Sequence, residues 1–165
     1  MLDGVEANGL FSLCDAVLTG YFASADQVAV AVEAIGRIRA APRPQGQGAP
    51  FVLVDPIMGD ADVGPYVPAD TAAAIARTLA PLADLVGCNL WEFMQLSDCG
   101  PRQQVEEVAA AALASGRDWL VTSVVRDGEI GALLAAGGRA HAALTPRLHG
   151  RLPRGAGDLL KLRLL

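Results

Sequence analysis

The sequence predicts an α/β domain, a mostly parallel sheet with helices on both faces. Three observations lead there. Short apolar runs alternate with longer stretches of helical spacing. Gly, Pro or a polar residue closes nearly every run. The 165 residues are 52% apolar and 19% charged, which supplies one core of ordinary size and excludes global disorder. No internal repeat and no second domain is visible, so residues 1–165 read as one unit.

The elements follow in order. Asp15-Ala16-Val17-Leu18-Thr19 is a buried strand stopped by Gly20. Ser24 is an N-cap for a helix over Ala25 to Ala40, with Val28, Val32, Ile35 and Ile38 on its buried face. Pro42 to Pro50, with three Pro, two Gly and two Gln, is a surface loop. Phe51-Val52-Leu53-Val54 is a second strand, ended by Asp55-Pro56, and a Gly- and Asp-rich loop runs from Met58 to Tyr66. Pro68 and Asp70 open a helix to about Leu79. Asp84 to Cys88 is a third strand, followed by Asn89 and a helix over Leu90 to Leu96. Pro101 starts a helix ending near Ser115-Gly116. Trp119 to Thr122 is a fourth strand. Glu129 to Ala136 and Arg139 to Leu144 flank Gly137-Gly138, a hairpin with a primed turn. Gly155-Ala156-Gly157-Asp158 then turns into a short apolar tail.

Composition narrows the function. With 13 basic and 18 acidic residues the net charge is −5, which disfavours a grip on nucleic acid or anionic lipid. No apolar stretch reaches the roughly 18 residues a membrane span needs. The acidic start Met1-Leu2-Asp3-Gly4-Val5-Glu6 is not a secretory signal, so a cytoplasmic protein is expected. Cys14, Cys88 and Cys99 match no zinc spacing and read as reduced thiols. His141 and His149 read as surface or loop residues.

Open α/β sheets bind ligands at the carboxyl ends of their strands. Those ends carry Gly20-Tyr21, Asp55, Asn89 and Thr122-Ser123, and their shared rim is the expected site. A P-loop and a Gly-x-Gly-x-x-Gly turn are both absent. Gly155-Ala156-Gly157-Asp158 enters a helix, where free amides favour an anion and an adjacent carboxylate can take a proton from an attacking hydroxyl. Each feature also has a plainer reading. Asp55 can simply end a strand, Tyr21 can pack, and Thr122-Ser123 can form a turn. Asn89 and Glu92 can be an N-cap and its capping-box partner, and Gly155 to Asp158 a turn and cap.

Taken together these residues resemble the pyridoxal kinase family of the ribokinase-like superfamily. The resemblance rests on Asp15 to Tyr21, Val54-Asp55-Pro56-Ile57-Met58-Gly59, Tyr66-Val67-Pro68-Ala69-Asp70, Pro81 to Asp84, Asn89-Leu90-Trp91-Glu92, Val121-Thr122-Ser123 and Gly155 to Asp158. It implies a three-layer α/β/α sandwich, here incomplete, and ATP-dependent phosphorylation of the 5′-hydroxymethyl group of pyridoxal, pyridoxine or pyridoxamine. By that resemblance Asp158 is the catalytic base, and Gly155, Ala156 and Gly157 form the anion hole. Asp55, Asn89, Glu92, Thr122 and Ser123 bind ATP and its phosphates. Asp55 and Glu92 meet Mg²⁺, partly through water, and Tyr21 lies by the substrate ring. The cofactor is Mg²⁺ with ATP as co-substrate, with room for a monovalent cation, and the family's usual state is a homodimer.

The match begins inside the family's usual sequence and stops seven residues after Asp158, so truncation at both ends and weak or absent turnover are the expectation. Two rivals stand beside this reading. Hydroxymethylpyrimidine kinases of the same superfamily usually carry Cys where Asp158 stands, and a non-catalytic remnant would bind nucleotide or vitamin without turnover.

Overall fold

The computed structural model describes residues 1–101 and 104–147. A helix α1 (Leu2–Ala7) and a 3₁₀ turn (Leu10–Leu13) lead into strand β1 (Ala16–Leu18) and helix α2 (Ala25–Ala40). Then come β2 (Phe51–Val54), a short antiparallel pair β3 (Gly59–Asp60) and β4 (Gly64–Pro65), and helix α3 (Ala69–Ala74). Strand β5 (Leu85–Asn89) runs straight into α4 (Leu90–Ser97), followed by α5 (Val105–Ala114). Strands β6 (Trp119–Arg126), β7 (Glu129–Ala136) and β8 (Arg139–Pro146) follow. The main sheet has the order β1-β2-β5-β6-β7-β8. Its first three pairings are parallel and its last two antiparallel.

Register decides where the helices sit. Val54 pairs with Val86, Val86 with Trp119 and Trp119 with Ala135, so these side chains share one face. On that face α2 packs through Val28 and Ile35 against Val52 and Val54, beside Ile75 and Leu79. On the same face α4 and α5 pack through Phe93, Val105 and Val108 against Val86, Cys88 and Val121. Phe93 meets Trp119 edge to face, with ring centroids 5.0 Å apart. The opposite face buries Leu53, Leu85 and Leu120, with Ala132 and Leu134 packed against them. Among the described residues no helix joins that cluster, so the helices that the alternation put on both faces are seen there on one face only. No helix among them is long and apolar enough to cross a membrane.

Several boundaries differ from the sequence expectation, each for a local reason. The loop over Met58 to Tyr66 contains the β3–β4 pair, closed by the Tyr66 N–H donating to the Met58 carbonyl at 2.7 Å. Past Ala74 the third helix widens into a π turn (Ile75–Leu79) and a 3₁₀ turn (Ala80–Leu82), where Pro81 has no N–H to continue the α pattern. Helix α5 starts at Val105 rather than Pro101, with Gln104 as its cap. Strand β6 runs four residues past Thr122, to a turn at Asp127-Gly128 with positive φ at both positions. The N-terminal helix, unread from sequence, buries none of its own residues. It is tied down by Arg37, which pairs with Asp3 at 2.8 Å, with Glu6, and with Glu33 at 3.3 Å. Hydrogen bonding to Arg37 is the largest cause holding the Asp3 carboxyl below its ordinary 3.8.

Candidate functional site

The four parallel strands deliver their carboxyl ends to one rim, as the sequence implied. Asn89 and Thr122 stand side by side in register at the ends of β5 and mid-β6. The ends of β1 and β2 are joined by the buried Thr19, whose Oγ1 accepts from the Asp55 N–H at 3.2 Å. Asp55 itself is 4% exposed.

Asn89 and Glu92 form the tightest knot. Asn89 caps α4, its Oδ1 accepting from the Glu92 N–H at 2.8 Å. Glu92 Oε2 accepts in return from the Asn89 N–H at 2.9 Å, completing a capping box. The pair also reaches across to the β2–β3 turn. Glu92 Oε1 accepts from the Met58 N–H at 2.7 Å and the Gly59 N–H at 3.4 Å, while Asn89 Nδ2 donates to the Gly59 carbonyl at 2.8 Å. Glu92 is only 3% exposed, so three backbone N–H groups offset the cost of burying its carboxylate. Gly59 is required there, because a Cβ would lie 2.7 Å from the Gly64 carbonyl oxygen and against the Trp91 ring.

Thr122 and Ser123 sit at a bulge. The β6–β7 register shifts between Thr122 and Val124, and Ser123 takes φ +65°. A non-glycine residue in that region costs about 1–3 kcal/mol, and such strain concentrates where a bulge re-aims a side chain at a site. Thr122 points its hydroxyl at the Cys88 carbonyl, 3.4 Å away. Ser123 is exposed.

Ser123 and Asn89 line a cleft of about 370 Å³ with Asp60, Asp62, Trp91 and Arg147. Asp60, Asp62 and Arg147 were missed from sequence. Asp60 and Asp62 had a signal, the acid density of the loop after β2, but only the hairpin shows that they face Asn89. Arg147 had none, because β8 had to be placed first. Tyr21 is 57% exposed at the end of β1, and neither it nor Asp55 lines this cleft. A second cleft of about 440 Å³, between α3 and α4, is lined mainly by apolar residues such as Met58, Val67, Ala72 and Trp91, with Arg77 and Gln95 as its polar side chains. Gly155, Ala156, Gly157 and Asp158 lie outside the described residues, as does His149.

The donor set can be weighed against a metal. No group of three His, Cys, Asp or Glu that could hold one is present among the described residues. Mg²⁺ keeps several waters and is commonly held by one or two carboxylates plus substrate phosphates. Asp55 and Asp60 are carboxylates of this kind near the rim. Glu92, expected beside the metal, has its two oxygens engaged by backbone N–H groups.

No family model matches the chain. Individual proteins do. It is 36% identical to the pyridoxal kinase PdxY of Deinococcus radiodurans, over 97% of this chain and 56% of that protein. It is 35% identical to the pyridoxine/pyridoxal/pyridoxamine kinase of Bordetella avium, over 96% of this chain and 54% of that one. Among solved structures, the pyridoxal kinase of Leishmania donovani in complex with ADP and pyridoxamine superposes with a TM-score of 0.81 at 26% identity, covering 97% of this chain and 56% of that one. The pyridoxal kinase of Entamoeba histolytica gives 0.80 at 25% identity, over 99% and 60%. The fold is therefore that of the pyridoxal kinases, and the chain spans little more than half the length of the relatives it matches.

Proposed function

We propose, from the premise that nearly the whole chain resembles the pyridoxal kinases in sequence and fold, that it carries the nucleotide-binding rim of an ATP-dependent kinase for the 5′-hydroxymethyl group of pyridoxal-type vitamers. The observation that carries this reading is the cleft in which Asn89, the strained Ser123, Asp60 and Arg147 face one another. Phosphoryl transfer needs mostly positioning and charge compensation. In that cleft Arg147 would offset phosphate charge and the Ser123 hydroxyl would hydrogen-bond the nucleotide, with Thr122 next to it as a further contact. Mg²⁺ bound with ATP would neutralise phosphate charge, and Asp55 and Asp60 are carboxylates suited to hold it through water. Tyr21 would bound the vitamer ring at the end of β1. Asp158 would accept the hydroxyl proton, while the amides of Gly155, Ala156 and Gly157 hold the transferred phosphoryl oxygens. A cytoplasmic setting and a homodimeric assembly complete the proposal.

Phosphorus NMR of pyridoxal with Mg²⁺ and ATP tests it. Slow appearance of the 5′-phosphate, lost in Asp158→Asn, is expected. Equal transfer by the Asn variant would overturn the assignment of the base. Nucleotide binding with no transfer at all would favour the non-catalytic reading instead.

A further inference from the structure

The turn between β2 and β3 holds a conformation that its own residues do not favour. Ile57 sits at φ +39°, where a β-branched side chain is an outlier. Such a residue persists only where its surroundings over-determine it. Here the next two amides, Met58 and Gly59, both donate to the buried Glu92 Oε1, and the Gly59 carbonyl accepts from Asn89. The strained residue is thus followed at once by three hydrogen bonds to the first turn of α4. Its side chain reaches the neighbouring strand end, where Cδ1 lies 4.0 Å from the position a Cβ on Gly20 would take, next to Tyr21. Ile57 is only half-buried.

We propose that Glu92 is a positioning residue, whose carboxylate holds Ile57 in the left-handed conformation so that its side chain covers Gly20 beside Tyr21 and shapes the vitamer side of the rim. The inference rests on the kinase reading for the identity of the ligand. The clasp itself does not. It differs from a metal-holding role, since the Glu92 charge is directed at backbone N–H groups 2.7, 3.4 and 2.9 Å away.

The test combines NMR amide exchange at Met58 and Gly59 with titrations of pyridoxal and of Mg²⁺-ATP, on the full chain. In Glu92→Ala, which removes the oxygen that accepts from both amides, exchange at Met58 and Gly59 should rise at least about tenfold, one lost hydrogen bond's worth. Pyridoxal binding should weaken several-fold, and by more than Mg²⁺-ATP binding does. In Ile57→Gly, which suits positive φ, exchange at the two amides should stay as in the unmodified chain while pyridoxal binding still weakens. If Glu92→Ala does not fold, Glu92→Asp keeps the charge but is too short for the same span, and its exchange is read the same way. Unchanged exchange together with a tenfold loss of Mg²⁺-ATP affinity would overturn the proposal in favour of a metal role. Raised exchange with pyridoxal binding unaltered would also overturn it. If the unmodified chain binds neither ligand, the kinase reading fails and the vitamer half of the proposal falls with it, while the exchange data still decide the clasp.

Discussion

Asn89 makes two structural bonds with one side chain, and losing them has separate consequences. Its Oδ1 caps α4 and its Nδ2 holds the Gly59 carbonyl. Asn89→Ala should cost about 1–3 kcal/mol in chemical denaturation, the sum of a lost cap and a lost cross-loop bond. Asn89→Asp retains an acceptor for the cap but has no N–H for Gly59, so it should fall between the two. Gly59→Ala acts on the same turn from the other side. Its Cβ would press on the Gly64 carbonyl and on Trp91, so it should lose stability and widen the cleft between the hairpin and α4. A hydroxyl at position 123 is separable from these. Ser123→Gly should relieve the positive φ, leaving stability unchanged or slightly higher, while weakening Mg²⁺-ATP binding measured by calorimetry.

At the scale of elements, α1 is held by charge rather than by a buried face. The Asp3 pKa is lowered in the folded chain, so the tether's contribution is present above the ordinary 3.8 and is lost as pH falls through the lower folded value. Amide exchange in residues 2–13 should therefore accelerate at acid pH and in Arg37→Ala, with the core of β2 and β5 hardly affected. The β7–β8 ribbon is held differently. A Cβ on Gly131 would fall on the Ala143 carbonyl, so Gly131→Ala should separate these strands and lower stability by at least about 2 kcal/mol. These elements also show what the sequence could and could not reveal. Helix α2 was legible to its ends, because Ser24 caps it and apolar residues mark its face. The Gly137-Gly138 hairpin was legible because both positions need positive φ. Asp127-Gly128 is a turn of the same kind and went unread, so β6 was cut short. Helix α1 could not be read, since its order depends on Arg37, about thirty residues away. In the site, Asn89 was found as the end of its strand and Glu92 through the family resemblance. Their bonds to Met58 and Gly59 span thirty residues or more and emerge only from the tertiary fold.

Across the whole molecule, the described helices cover one face of the sheet and leave the other to strand residues. That second face is uneven. Leu53 is fully buried, while its register partner Leu18 and the nearby Phe51 are exposed. Leu53→Ala should cost about 2–5 kcal/mol, and Leu18→Ser should stay within about 0.5 kcal/mol. On the rim the same sheet gathers side chains from β5, β6, the β3–β4 pair and the end of β8 around one polar cleft. The kinase account depends on that cleft being where the triphosphate binds. A heteronuclear NMR titration with Mg²⁺-ATP addresses this directly. The account predicts saturable shifts concentrated at Gly59, Asp60, Asn89 and Ser123. Shifts centred instead on Ala72, Ala76 and Gln95, in the apolar cleft between α3 and α4, or no saturable shifts at all, would contradict it.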